Sequence, residues 1–214
     1  MIISRVMTRN PFYINPDMSI IDVRSLMEKE KIGHLPVLDK NNALVGLLAK
    51  KDLLKAGPSP ATSLDMYEIS YLISKMTARD VMVKNVFTVG ENEVVEEAAR
   101  IMADNDIGCL PVMRDKLLIG IITDTDLFNV FINAFGVRHP GVRITCRIQE
   151  KPGQIARLAH TIAERSGNVT ALVITEGDDL SYRLATIKIA GISLPEAEAI
   201  VRGFDDMTIE DIRE

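Results

Sequence analysis

A unit of about fifty residues is written twice in this chain, and that duplication restricts the possible folds more than any other feature. The segment from Val6, "VMTRNPFYINPDMSIIDVRSLMEKEKIGHLPVLDKNNALVGLLAKKDL", aligns with the segment from Val81, "VMVKNVFTVGENEVVEEAARIMADNDIGCLPVMRDKLLIGIITDTDL". With one residue removed between Val37 and Gly46, fourteen positions are identical. They include Val-Met, Asn-x-Phe, Ile-Gly-x-Leu-Pro-Val, and the Gly and Asp-Leu of a closing octet, "GLLAKKDL" in the first copy and "GIITDTDL" in the second.

Each copy predicts the order β-α-β-β-α. A short extended start, 12–14 or 87–89, leads into an amphipathic helix. In the second copy Val94, Val95, Ala98, Ala99 and Met102 share one helical face. In the first, Ser19 and Asp22 have the spacing of a capping box and Val23, Leu26 and Met27 face inward. Two short apolar strands follow, and the octet opens a second helix, clearest from Asp124 to Phe135. One such unit has too little core to stand alone, so the copies are expected to pack together as a pseudo-symmetric pair.

The duplicated Val-Met start, the Gly-x-Leu-Pro-Val turn and the Gly-h-h-Thr-x-x-Asp octet resemble a pair of cystathionine-β-synthase (CBS) domains, the arrangement called a Bateman module. The resemblance covers residues 1–135. It implies domains at 1–56 and 77–135 joined by a connecting segment, 57–76.

Beyond Phe135 the pattern changes. The Gly- and Pro-bearing stretch 136–141 reads as a linker. "VRITCRIQ" alternates as a strand, and Ile155, Leu158, Ala159 and Ile162 mark a helix that Gly167 and Asn168 are expected to stop. Two strands, a helix with Pro195 in its first turn and a closing strand complete β-α-β-β-α-β over 142–214, a ferredoxin-like order. The predicted class is therefore α/β (α+β), a tandem pair of β-α-β-β-α units followed by a βαββαβ domain. Glu150-Lys151-Pro152-Gly153-Gln154-Ile155 resembles the Asp-Lys-Pro-Gly-x-Leu signature of ACT domains, with glutamate for the usual aspartate. A CBS pair followed by an ACT domain is similar to the bacterial acetoin utilization proteins over the whole chain.

Composition bears on function mainly by what it disfavours. Net charge is −5 and the basic residues are scattered, which argues against nucleic acid as a partner. No apolar run approaches the roughly 18 residues of a membrane span, and the start "MIISRVMTRNPF" lacks a signal-peptide pattern, so a cytoplasmic protein is expected. Cys109 and Cys146 form no CxxC pair and lie in apolar stretches, as buried reduced thiols do. No two histidines stand at i, i+4, and no P-loop, Gly-x-Ser-x-Gly or Rossmann fingerprint occurs. With no nucleophile, base or metal constellation legible, catalysis is not expected.

Thr123 and Asp126 admit two readings. Thr-x-x-Asp at a helix start is close to a capping box. The same groups suit a nucleotide, because free amides and the helix dipole favour an anion, a hydroxyl can donate to phosphate, and a carboxylate accepts both hydroxyls of a ribose diol. The first copy has Ala49 for Thr123 but keeps Asp52, which favours the ribose reading and ranks the second octet above the first. Asp124 brings negative charge where a phosphate tail would approach, whereas Lys50 and Lys51 attract one in the first copy.

The CBS resemblance implies an adenosyl regulatory ligand, an adenosine nucleotide or S-adenosylmethionine. The residues implied to hold it are Thr123, Asp124, Asp126, Pro111, Val112, Asn85, Asp52, Pro36 and Asn10. His34 replaces Cys109 in the repeat and reads as a packing residue. The ACT resemblance implies an amino acid at Pro152, Gly153 and Gln154, with Asn168 contributing an amide, or a dimer contact only. A ligand-sensing regulator, dimeric or larger and acting on a metabolic enzyme, is the resulting expectation. The alternative is a dimerising scaffold with vestigial sites.

Overall fold

The computed structural model describes residues 1–55, 65–179 and 181–214 and divides the chain into two compact units, Met1–Leu127 and Phe128–Glu214. The expected end of the first domain, at 56, and residues 57–64 of the connecting segment lie outside the described residues.

In the first unit a 3-10 turn, Ile3–Arg5, precedes β1 (Thr8–Arg9), α1 (Ile20–Glu30), β2 (His34–Leu38), β3 (Leu44–Ala49) and α2 (Lys50–Lys55). Next come α3 (Met66–Lys75), a helix inside the expected connecting segment, and α4 (Ala78–Val81). The second copy supplies β4 (Val89–Gly90), α5 (Val95–Asn105), β5 (Cys109–Arg114), β6 (Leu117–Thr123) and the start of α6 (Asp124–Ala134). The predicted caps form: the Ser19 hydroxyl accepts the Asp22 N–H at 3.1 Å and donates to its carboxylate at 2.7 Å. α1 and α5 both end on a left-handed residue, Lys31 at φ 55° and Asp106 at φ 52°, which turns the chain sharply into the next strand. Each helix lays its apolar stripe on the sheet, burying Val23 and Met27 in the first copy and Ala98 and Met102 in the second. Leu35 and Leu48 are fully buried, as are their repeat equivalents Leu110 and Ile122. Truncating any one to alanine is of the kind that costs about 2–5 kcal/mol.

The two copies are joined by exchange. β1, from the Val-Met start of the first copy, pairs with β6 of the second, Thr8 opposite Ile121 and Arg9 opposite Gly120. Val83, from the start of the second copy, exchanges two backbone hydrogen bonds of 2.9 Å with Leu47 of β3. Repeated sequence therefore builds related arrangements, the sheet β1-β6-β5-β4 and the β2-β3 hairpin flanked by single bridges at Val83 and Ile14, each drawing one segment from the other copy.

The exchange explains why both octets begin with glycine. A Cβ on Gly120 would stand 2.5 Å from Met7 Sδ and 3.1 Å from the Thr8 carbonyl oxygen. A Cβ on Gly46 would stand 2.9 Å from Met82 Cγ and closer still to its sulfur. The methionine of each Val-Met start thus lies flat on the octet glycine of the opposite copy.

The second unit contains the end of α6, then β7 (Val142–Gln149), α7 (Gln154–Glu164), β8 (Asn168–Glu176), β9 (Tyr182–Ala190), α8 (Leu194–Arg202) and β10 (Met207–Arg213). The predicted β-α-β-β-α-β order is present, with the sheet running β10-β7-β9-β8. Alternate residues of β7 and β9, including Ile144, Cys146, Ile187 and Ile189, are buried against Leu158 and Ile162 of α7 and Ile200 of α8. α7 ends at Glu164, Ser166 beyond it takes the left-handed conformation at φ 60°, and Asn168 already begins β8. The expected linker 136–141 is held against the sheet. Gly136 closes α6 at φ 61°, a Cβ there would be 3.1 Å from that of Ala171, and at Gly141 a Cβ would strike the Ile189 carbonyl.

Gly46→Ala is expected to lower stability by about 1–3 kcal/mol, the usual cost of overpacking a filled site. If the methionine contact is the cause, Gly46→Ala combined with Met82→Ala will cost less than the two separate losses together, as measured by urea unfolding. Strict additivity would show that the two groups do not compete for space.

Candidate adenosyl-ligand site

Two cavities open where the copies exchange strands. The larger, about 490 Å³, is lined by Thr123, Asp124 and Thr125 at the start of α6, by Arg9, Asn10 and Phe12 of the first copy's start, and by Lys31 and His34. The smaller, about 260 Å³, is lined by Ala49, Asp52 and Lys55 of the first octet region, by Asn85 and Phe87 of the second copy's start, and by Lys51, His34 and Cys109. The larger falls within the roughly 300–1,000 Å³ range of small-molecule sites and the smaller just below it. Each octet meets the Asn-x-Phe segment of the other copy, so Asn10 lies with Thr123 and Asn85 lies with Asp52. The lent strand carries its asparagine across the boundary with it.

Phe12 and Phe87 line these cavities and are about half exposed, 51% and 50%, so each cavity has an aromatic ring in its wall. Sequence reading passed over them as sites, although Asn-x-Phe is among the few motifs identical in both copies. Pro36, Pro111 and Val112 are buried strand residues, and neither they nor Asp126 are among the residues that line either cavity. Pro111 pairs with Ile121 and Pro36 with Leu47 across their hairpins, so their environment is the sheet.

The Thr-x-x-Asp geometry is defined atom by atom. Asp126 Oδ2 accepts the Thr123 N–H and the Thr123 hydroxyl, each at 2.8 Å, and the hydroxyl in turn accepts the Asp126 N–H at 3.4 Å. In the first copy Asp52 Oδ2 accepts the Ala49 N–H at 2.8 Å with no hydroxyl present. The carboxylate is therefore the cap, and the threonine is its accessory. Retention of Asp52 beside Ala49 is what a cap alone would produce, so that difference between the copies does not rank the two sites. The Thr123 hydroxyl proton is also committed to Asp126 and is not free for a phosphate in this conformation. Asp124 accepts the Thr125 N–H at 2.6 Å through Oδ1, while its Oδ2 faces Gly108 and the His34 side of the cavity.

The two thiols are reduced and buried, and burial pushes Cys109 up to about 12 and Cys146 up to about 11, so neither is a thiolate near neutrality.

In the second unit the Pro152–Gly153 turn is exposed. Gly153 has φ 89° and a Cβ would meet nothing within 4 Å, so the backbone angle demands glycine here rather than close approach of a neighbour. Gln154 is buried and its amide donates to Asp206 Oδ2 at 2.7 Å, with Arg157 adding 3.0 Å to the same oxygen. These two donors, Gln154 first, hold the Asp206 carboxyl below the usual carboxylate range. Gln154 is thus a structural link between α7 and the loop before β10. Asn168 does not join the turn. It pairs with Ala190 at one end of the sheet, whereas Gln149, which leads to the turn, pairs with Tyr182 at the other. Those partners stand eight positions apart along β9, roughly 26 Å of strand. β8 runs parallel to β7 in this sheet, which puts its first residue far from the end of β7. An open cleft of about 430 Å³ does lie at the turn's end of the sheet, bordered by Arg147, Lys151, Tyr182 and Asp205, with the Arg147 guanidinium 3.6 Å from the centre of the Tyr182 ring.

Comparison with known proteins assigns the first unit. The CBS domain model matches residues 3–59 and 78–133, just over half of the chain, and the protein belongs to the CBS domain family. An uncharacterized protein of Methanocaldococcus jannaschii is 32% identical, covering 62% of this chain and 92% of its own length. An inosine-5′-monophosphate dehydrogenase of Nitrosopumilus maritimus is 35% identical over 58% of the chain, but the match spans only 23% of that enzyme. Among solved structures, a protein of Vibrio cholerae assigned to acetoin utilization has 31% identity and a TM-score of 0.53, covering 65% of this chain and 98% of its own. The CBS domain pair of MJ0100, solved with 5′-methylthioadenosine and S-adenosyl-L-methionine, has 26% identity and a TM-score of 0.53, with coverage of 65% and 98%. CBSX2 in complex with AMP has 29% identity and a TM-score of 0.51, with coverage of 64% and 98%.

Because the carboxylate carries the cap, Asp126→Ala should destabilise the protein by about 1–2 kcal/mol and Thr123→Ala by distinctly less. Thermal unfolding of the two variants decides the order, and a larger loss from Thr123→Ala would contradict this assignment.

Proposed function

We propose that the protein is a non-catalytic, cytoplasmic regulator whose CBS pair binds an adenosyl small molecule. One observation carries the reading: each cavity joins a capped octet helix start from one copy to an Asn-x-Phe segment from the other, giving a carboxylate, an amide and an aromatic face around one space. Asp52 in the smaller cavity and Asp124 in the larger supply a carboxylate for a ribose diol, and Phe87 and Phe12 offer an aromatic surface for adenine. The solved complexes of related CBS pairs with AMP, 5′-methylthioadenosine and S-adenosylmethionine support this ligand class.

We assign residues 142–214 to an ACT-like module on the strength of its βαββαβ order and the Glu150–Ile155 hexapeptide. An amino acid would meet it at the Pro152–Gly153 end of the sheet, beside Arg147 and Asp205. The edge strand β8 leaves Leu172 and Ile174 38% and 47% exposed, and pairing of that edge with a second copy gives a homodimer. Control of a metabolic enzyme, in acetoin utilization or a comparable route, follows from the likeness to the Vibrio cholerae protein. The competing role is a dimerising scaffold without ligands, for which the exposed β8 edge would suffice.

Calorimetric titration and thermal melts with AMP, ATP, S-adenosylmethionine and 5′-methylthioadenosine test the proposal. At least one should bind at micromolar to sub-millimolar concentration. At about a hundredfold its dissociation constant it should add about 2.7 kcal/mol of stability, a rise in melting temperature of several degrees. No binding by any of the four, with light scattering still showing a dimer, would establish the scaffold instead.

A further inference from the structure

His34 belongs to the walls of both cavities. It sits at the first residue of β2, directly after the left-handed turn at Lys31, and its repeat equivalent is the buried Cys109. The imidazole therefore marks a chemical difference between two otherwise matched halves. Among the described residues no hydrogen-bond partner reaches its ring. Its Nε2 lies 3.6 Å, and Asp124 Oδ2 3.2 Å, from the point where a Cβ on Gly108 would stand, which puts the ring beside the N-terminus of α6. A half-buried imidazole with free nitrogens, facing two ligand-sized spaces, is placed for a ligand rather than for packing.

We propose that His34 makes the pair select adenosyl ligands that carry a phosphate, by taking up a proton when that anion enters and returning it to solvent when the anion leaves. The inference rests on the adenosyl reading of the cavities.

The surrounding charges agree with such a role. Burial holds the imidazole below its usual range, so it is neutral in the empty protein at neutral pH. Asp124 at the start of α6 favours the proton, Lys51 of α2 opposes it and Asp52 of α2 favours it. Lys55 of α2 faces the smaller cavity, and Arg9 of β1 and Lys31 after α1 face the larger one. The Cys109 thiol of β5, pushed up to about 12, stays neutral throughout. A phosphate adds up to two negative charges a few ångströms away in a partly desolvated space, which favours the imidazolium. A neutral thioether such as 5′-methylthioadenosine offers no such gain. Lowering the pH from 8.5 toward 7 should strengthen AMP binding alone.

The test is calorimetric titration of AMP and of 5′-methylthioadenosine into the full chain and into His34→Cys, the residue that the second copy carries naturally, in two buffers of different ionisation enthalpy. AMP should take up about half a proton or more in the wild type beyond any uptake by His34→Cys, and methylthioadenosine none. The ratio of AMP to methylthioadenosine affinity should rise severalfold between pH 8.5 and 7 in the wild type and stay level in the variant. Equal proton uptake and equal ratios in both proteins would overturn the role of His34 while leaving adenosyl binding intact. Failure of both compounds to bind the wild type would remove the adenosyl reading and this inference together. Should His34→Cys misfold, the imidazole carbon signal of the wild type, titrated by NMR with and without AMP, gives the same decision. A midpoint unmoved by AMP refutes the proposal.

Discussion

The flat contact between a methionine sulfur and an octet glycine, made twice across the boundary between the copies, is the constraint on which the rest of the first unit depends. Without a bare Cα at Gly46 and Gly120 the Val-Met segments could not lie close enough to pair with β3 and β6. Without that pairing each half would keep an open sheet edge and an under-filled core. Close packing leaves little slack at such a point, so the requirement for a bare Cα follows from sterics more than from conformational freedom. It also fixes register, because a slip of one residue would carry the methionine off the glycine.

The same exchange produces the cavities. Each is bounded by a helix start that belongs to one copy and by a strand that belongs to the other, and the polar and aromatic residues converge only because the strands cross. Capping and binding then use one carboxylate in two ways. One oxygen of Asp52 accepts the Ala49 N–H at the head of α2, and the same residue lines the smaller cavity. Economy of this kind explains why a cap and a ligand site look alike in sequence. The pattern Thr-x-x-Asp states that the helix begins there and says nothing of what lies opposite.

The second unit follows a different logic. Its helices cover one face of the sheet, so the alternation in "VRITCRIQ" is visible as buried and half-buried residues along β7. Its glycines act through backbone angle at Gly153 and through close approach to a carbonyl at Gly141. Gln154, which sequence alone offers as a ligand contact, instead ties α7 to Asp206.

What the sequence determined by itself was whatever depends on near neighbours along the chain. The duplication, the helix at Ser19–Glu30 with its cap, the hairpins around Pro36 and Pro111, the helix from Asp124 and the βαββαβ order are all local in origin, set by hydrophobic period, capping residues and turns. The tertiary structure decided what depends on contacts between distant segments. It brought Asn10 to Thr123 and Asn85 to Asp52, because each copy lends its first segment to the other. It buried Pro36, Pro111 and Val112 in their hairpins and set Asn168 at the far end of the sheet from Gly153, because β8 runs parallel to β7. It also turned His34 from a packing residue into a wall of both cavities. Pairing partners thirty or more residues apart leave no periodic trace in sequence, so only the folded chain could show them.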